Sequence, residues 1–493
     1  MRKLMPTPAW VQDAIFYQIF PDRFAKSDRN PARDLPFEPW DSAPTPHGFK
    51  GGDLFGVIEK LDYLKELGIT AIYFNPVFSS ASNHRYHTFD YYNVDPLLGG
   101  NDALKELTKK AHKKDIRIVL DGVFNHASRG FWQFNHVLET GAASPYRDWF
   151  HFDEERLNGK KHWGAYPTHH EEQLLKHEDS LNVIGYRAWW NLPALPKFNT
   201  NTAAVREFIF DVAEYWVKFG IDGWRLDVPA EIDDDEFWRE FRRRVRAVNA
   251  EAYIVGEIWH EAQRWLQGDQ FDAVMNYLVT AVSLNFFAAD HLNLHVIQQA
   301  GGLKDRIRPM NARDCANELE RILNLYPREI TYAQLNLLDS HDMPRFLSCV
   351  NGDKNALKLA WLFMFTIPGA PCIYYGDEIG VDGGHDPDCR KSFPWEKNKW
   401  DTDLLEYAKA CTALRTEHAA LRRGELNLTH AEDDLLAYSR SYKNETIHIA
   451  FNVSNEEKSL ELNLGKRSQI LFGNPAITGN KIKISPRSGI VIK

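Results

Sequence analysis

Eight short, nearly continuous apolar runs recur between residues 14 and 375, and helix-spaced patterns separate several of them. They read AIFYQIF (14–20), ITAIYFN (69–75), IRIVLDG (116–122), GIDGWRLDV (220–228), YIVGE (253–257), FDAVMN (271–276), QLNLLD (334–339) and PCIYY (371–375). Strands so uniformly apolar are buried on both faces, as a parallel sheet covered by helices requires. An eightfold repeat of strand and helix favours a closed (β/α)8 barrel. The expected fold class is α/β, a TIM barrel.

Two stretches depart from that rhythm. Residues 126–200 are rich in Trp, His and Gly with weak periodicity, and read as a subdomain inserted after strand three. Beyond about residue 412, short alternating or β-branched segments (435–441, 446–452, 458–464, 469–472, 481–484) lie between Asn/Gly turns, the pattern of a small all-β domain. The expected division is barrel over 1–125, insert over 126–200, barrel again over 201–411 and β-domain over 412–493. A proline-rich loop follows strand one. Asp53 then caps a helix carrying Leu54, Val57, Ile58, Leu61 and Leu64, which Gly68 ends.

Bulk properties exclude several classes. A formal charge of −9 argues against nucleic acid or an anionic membrane as partner. The leader MRKLMPTPAWVQD has no apolar signal region and no run approaches a membrane span, so a cytoplasmic protein is expected. Five scattered cysteines with no CxxC pair suit neither a disulfide framework nor a zinc site. The many Trp and Tyr suit a ligand with flat apolar faces, such as a sugar, although core packing is their ordinary use.

Barrel active sites lie at the C-terminal ends of the strands. That rule gathers Asp227 after strand four, Glu257 after strand five and Asp342 after strand seven, with His126 and His341 near strands three and seven. Arg225 stands two residues before Asp227, hence on the same strand face, and is placed to hold it ionised. Three acids and two imidazoles, with no thiolate or phosphate loop, suit glycoside hydrolysis, in which two carboxyls flank the scissile bond. An oxygen-rich cation site and a satisfied ion network are the competing readings.

DGVFNH (121–126), GWRLDVPAE (223–231), GEIW (256–259) and LLDSHD (337–342), in that order, resemble the four signature regions of the α-amylase family of glycoside hydrolases. LPKFNT (195–200) and GGHDPDCRKSFPW (383–395) are similar to its neopullulanase, cyclomaltodextrinase and maltogenic amylase branch. The resemblance implies retaining cleavage of α-1,4 and often α-1,6 links in malto-oligosaccharides, pullulan and related α-glucans. It makes Asp227 the nucleophile, Glu257 the acid and base, and Asp342 the stabiliser of the transition state. Arg225 then orients Asp227, while His126, His341 and Tyr86 contact the sugar at subsite −1. Asp386 and Arg390 hold the next sugar, and Glu231 belongs to the acceptor side. Asp121 and Asn125 tie the barrel mouth together, and His84 and His87 are local hydrogen-bonders. A glucan transferase would share every one of these residues. A non-catalytic sugar-binding scaffold typically loses the acids, and here all three are present.

Members of that branch usually carry an N-terminal β-domain that helps build a dimer. Strand one begins near Ala14 here, so that domain is not expected, and a homodimer would use another surface. Relatives often bind calcium in the loop after strand one. This chain offers Asp28, Asn30 and Asp53 with Lys26 among them, and a lysine there opposes the cation, so calcium is the less favoured outcome and no cofactor is required. The loop over 25–52 is expected to reshape the cleft. Pro229 and Ala230, in place of the usual Ala-Asn, are expected to alter its wall near the acceptor sugars.

Overall fold

The computed structural model describes residues 7–32, 34–462 and 468–493. Eight parallel strands make one sheet: β1 (Phe16–Ile19), β2 (Ala71–Phe74), β3 (Arg117–Gly122), β4 (Gly223–Leu226), β5 (Tyr253–Gly256), β6 (Ala273–Val274), β7 (Leu335–Leu337) and β8 (Ala370–Tyr374). Their hydrogen-bonded order is β6-β5-β4-β3-β2-β1-β8-β7. A parallel bridge between Met275 and Leu335 joins the two ends, closing the barrel.

Side-chain alternation sorts each strand between two cores. Tyr17, Ile19, Trp224 and Leu226 face the surrounding helices. Phe16, Ala71, Val119, Tyr253 and Val255 fill the barrel interior. The same period of two carries Gln18, Asp121, Arg225 and Glu257 onto the inner face above that apolar filling. Register then pairs Asp121 with Arg225 directly across β3 and β4.

Helix signals in the sequence have their expected physical counterparts. Asp53 accepts the Gly56 N–H at 2.7 Å and caps Leu54–Glu59. The chain breaks at Lys60 into a second helix, Leu61–Glu66, and Gly68, at φ 88°, turns it toward β2. The segment over 126–200 folds as short helices around an aromatic core. Phe134 meets Tyr186 edge-on at 4.8 Å, and Phe150 stacks on Phe198 at 5.1 Å. That is why its periodicity is weak: rings pack there with little regular backbone.

At the other end of the chain, a five-stranded antiparallel sheet runs from Glu425–Glu432 through Leu435–Tyr442, Glu445–Asn452 and Ser488–Ile492 to Ile470–Phe472. A three-stranded sheet (Lys458–Glu461, Lys481–Ile484, Ala476–Thr478) packs with it around Leu435, Ala437, Ile482 and Ile490.

The edge strand Glu425–Glu432, Ala476–Thr478 and Ser488–Ile492 were not expected from the sequence. Residues 463 and 464 of the strand expected over 458–464 lie outside the described residues, as do residues 1–6 of the leader. A hairpin, Phe78–Ser80 with Thr88–Val94, is a further addition, and its connection carries Tyr86. Among the described residues, no helix is long and apolar enough to cross a membrane. All five cysteines are buried and unpaired with one another.

The loop after β1 is organised around one buried ammonium. Lys50 is fully buried, and its Nζ donates to Pro39 O and Ser42 O at 2.8 Å each and to the Ser42 hydroxyl, with Glu38 at 3.3 Å. Asn83 donates to Pro46 O and Gly48 O from the far side, tying the loop to the segment that bears His84 and Tyr86. Lys50→Met is expected to cost about 1–3 kcal/mol, because it takes the cation from oxygens that water reaches only in part. Thermal melting and proteolytic nicking between residues 39 and 48 measure this; an unchanged melt would refute it.

Candidate active site

Arg225 is the centre of the site and is wholly buried. Its Nη1 meets both oxygens of Asp121 at 2.9 Å and Asp227 Oδ1 at 3.0 Å, while Nη2 lies 3.0 Å from Glu257 Oε2. One guanidinium thus serves three carboxyls. Burial pushes Asp121, Asp227 and Glu257 above the usual carboxylate range, with Arg225 pulling each of them back. The negative charge of Glu257 raises Asp227 further, and that of Asp342 raises Glu257, so these acids do not titrate independently.

Asp227 and Glu257 differ in their contacts. Asp227 Oδ2 is buried with no hydrogen-bond partner among the described residues. Glu257 accepts from the Val228 N–H through Oε2 and from the Trp259 indole through Oε1, both at 3.1 Å. Val228 adopts φ 36° and ψ 49°, a left-handed conformation costly for a β-branched residue, and this turn aims its N–H at Glu257.

Asp342 lies across the cleft. Burial works to raise its carboxyl, but a positively charged His341 at 3.0 Å, its hydrogen-bonding contact and Arg390 at 3.3 Å together hold it below the usual range; a neutral His341 leaves the contact and Arg390 to do so. Arg390 also pairs with Asp386 at 2.9 Å and donates to His341 O at 2.8 Å. Tyr86 donates to Asp121 at 2.8 Å and stacks parallel to His341 at 5.5 Å.

A cavity of about 490 Å³ exposes Asp227, Glu257, Asp342, Tyr86, Asp386 and Arg390 together. Arg225, His126 and His341 stand behind that lining, and burial pushes the His126 imidazole down to about 3. His84 and His87 face the cavity, although His84 also accepts from the Tyr86 N–H. Glu231 is not brought into the cavity lining. It is exposed to solvent, paired with Lys197 at 3.2 Å. Pro229 is buried, with its carbonyl accepting from Trp238, so Val228 rather than Pro229 forms the wall. The described residues of the loop over 25–52 do not line the cavity either; the loop touches Asn83, next to His84 in the chain.

Sequence reasoning missed Trp189, Trp190 and Trp259. His126 stacks on Trp189 at 4.9 Å, and Trp189 on Trp190 at 4.5 Å, forming a column of rings along one wall. The adjacent WW in a Trp-rich insert was the available signal. In the loop after β1, Asp53 accepts from the Ser27 and Gly56 N–H groups, and Asn30 donates to Leu97 O.

Residues 18–417 match the sequence family described as alpha amylase, catalytic domain. The chain belongs to the α-amylase family. It is 44% identical over 483 residues to a cyclomaltodextrinase of Geobacillus thermopakistaniensis, covering 97% of this chain and 75% of that one. Neopullulanase 2 of Thermoactinomyces vulgaris is 40% identical over 465 residues, covering 93% and 72%. The solved structure of a debranching enzyme from Nostoc punctiforme superposes with a TM-score of 0.87 at 42% identity, covering 99% of this chain and 100% of that one.

Proposed function

We propose that this α-amylase family member is a retaining hydrolase of α-glucans, acting on α-1,4 and α-1,6 links in malto-oligosaccharides and pullulan. The observation that carries the reading is the single Arg225 fork touching both Asp227 and Glu257. A shared guanidinium favours the short carboxyl spacing of retaining enzymes, about 5–5.5 Å, over the wider gap that admits a water in inverting ones. Asp227 Oδ2, free of partners, attacks the anomeric carbon. Glu257 gives its proton to the departing oxygen and then takes one from water. Asp342 favours the positive charge that develops on the ring, and Asp386 with Arg390 grips the neighbouring sugar. These steps use carboxyl groups and water, with no cofactor. Names such as cyclomaltodextrinase, neopullulanase and debranching enzyme among its relatives support the substrate class.

Incubation with pullulan, with the trisaccharides separated by chromatography, tests this. Maltotriose reports α-1,6 cleavage and panose α-1,4 cleavage. Release of neither, with linear maltodextrins also left intact, would overturn the reading.

A further inference from the structure

Gln18 and Asn75 take no part in the chemistry above, yet both are buried polar side chains beside the site. Their hydrogen bonds have only one consistent direction. Asp121 receives both its oxygens' contacts from Arg225 as a carboxylate, so it accepts, and the Tyr86 hydroxyl must donate to it. Having one hydrogen, that hydroxyl can only accept from its other neighbours. Asn75 therefore offers Nδ2 to it at 3.0 Å and turns Oδ1 toward Gln18. Gln18 must answer with its NH2 group, which lies 3.0 Å from Asn75 Oδ1 and 2.9 Å from His341 Nδ1. An N–H facing Nδ1 requires a lone pair there. The hydrogen of His341 is left on Nε2, which lies 2.7 Å from the Tyr86 hydroxyl and 3.0 Å from Asp342 Oδ2.

We propose that Gln18 is a positioning residue that locks His341 as a neutral imidazole protonated on Nε2, so that this one hydrogen is presented to the Tyr86 hydroxyl at 2.7 Å, with Asp342 Oδ2 beside it at 3.0 Å. The polarity is transmitted from Arg225 through Asp121, Tyr86, Asn75 and Gln18. The inference rests on the reading of Asp342 as the acid that braces the sugar. Charged groups of both signs surround His341. Asp121, Asp342 and Glu257 face it as acids, against Arg225, Arg390 and the imidazole of His84. The Gln18 N–H that faces Nδ1 at 2.9 Å is what leaves no place for a second hydrogen there.

A neutron structure of the perdeuterated protein tests the tautomer directly, whether or not any glucan is cleaved. Deuterium on Nε2 and none on Nδ1 is expected, and deuterium on Nδ1 overturns the proposal. In Gln18→Glu the new carboxylate accepts from Nδ1. The profile of kcat/KM against pH should gain an ionisation, and kcat/KM should fall on the order of 10²-fold, less than the ~10⁴ seen where a misplaced tautomer itself moves the proton. Gln18→Met provides the same added ionisation if Gln18→Glu does not fold. A parental pH profile in a folded variant overturns the proposal.

Discussion

Asp227→Asn is expected to reduce kcat on pullulan by on the order of 10⁵-fold or more, the scale of losing a covalent nucleophile. The amide nitrogen or oxygen that replaces Oδ2 cannot form the glycosyl ester. Folding should survive, because the substitution removes one of three buried carboxyls that share Arg225. The stability effect has a definite sign. Burial raises the Asp227 carboxyl above its unfolded value, with Arg225 opposing and the neighbouring acids assisting. Between those two values the folded protein holds a proton that the unfolded chain has released, so stability falls as pH rises through the window. An uncharged amide removes that loss. The melting temperature of Asp227→Asn should therefore match or exceed the parent's, with the gain larger at about pH 8 than at about pH 5. Turnover within tenfold of the parent would remove Asp227 from its role, and a variant that melts lower at the higher pH would contradict the charge argument.

The barrel and its acids were legible in the sequence because both depend on short-range order. Uniform apolar runs marked the strands, and a period of two placed Arg225 and Asp227 together and Trp224 and Leu226 opposite them. What escaped depends on distant partners. Nothing local distinguishes Lys50 from a surface lysine until Pro39, Ser42 and Glu38 fold round it. Gln18 stands in an apolar strand as one polar residue, and its meaning comes from Asn75 and His341, far along the chain. The strand Glu425–Glu432 lies at a sheet edge with half-buried and exposed positions alternating, so it lacks an apolar signature. Glu231 belongs to a signature motif, yet after the left-handed turn at Val228 it is exposed and paired with Lys197, outside the cavity lining. A motif fixes the order of its residues; the backbone between them decides which ones reach the cavity.

Glu257→Gln should separate the two halves of the reaction. On pullulan it is expected to lose about 10²–10⁴-fold, the contribution of a positioned acid and base. The loss should be far smaller for the first step on α-maltosyl fluoride, whose leaving fluoride departs without protonation. The glycosyl-enzyme then accumulates, because no carboxylate remains to take a proton from water. Azide needs no base. It attacks the anomeric carbon, the bond to Asp227 breaks, the carboxylate is released and maltosyl azide appears with retained configuration. The Val228 N–H and the Trp259 indole each hold a different oxygen of the carboxyl, and glutamine keeps only one acceptor, so the variant retains one of these two hydrogen bonds and loses the other. Equal losses on pullulan and on the fluoride, with no azide product, would mean that Glu257 positions substrate rather than moving its proton. A selective loss restored by azide assigns the proton to Glu257 and leaves the covalent bond to Asp227, the division of labour that one shared guanidinium and one partnerless oxygen support.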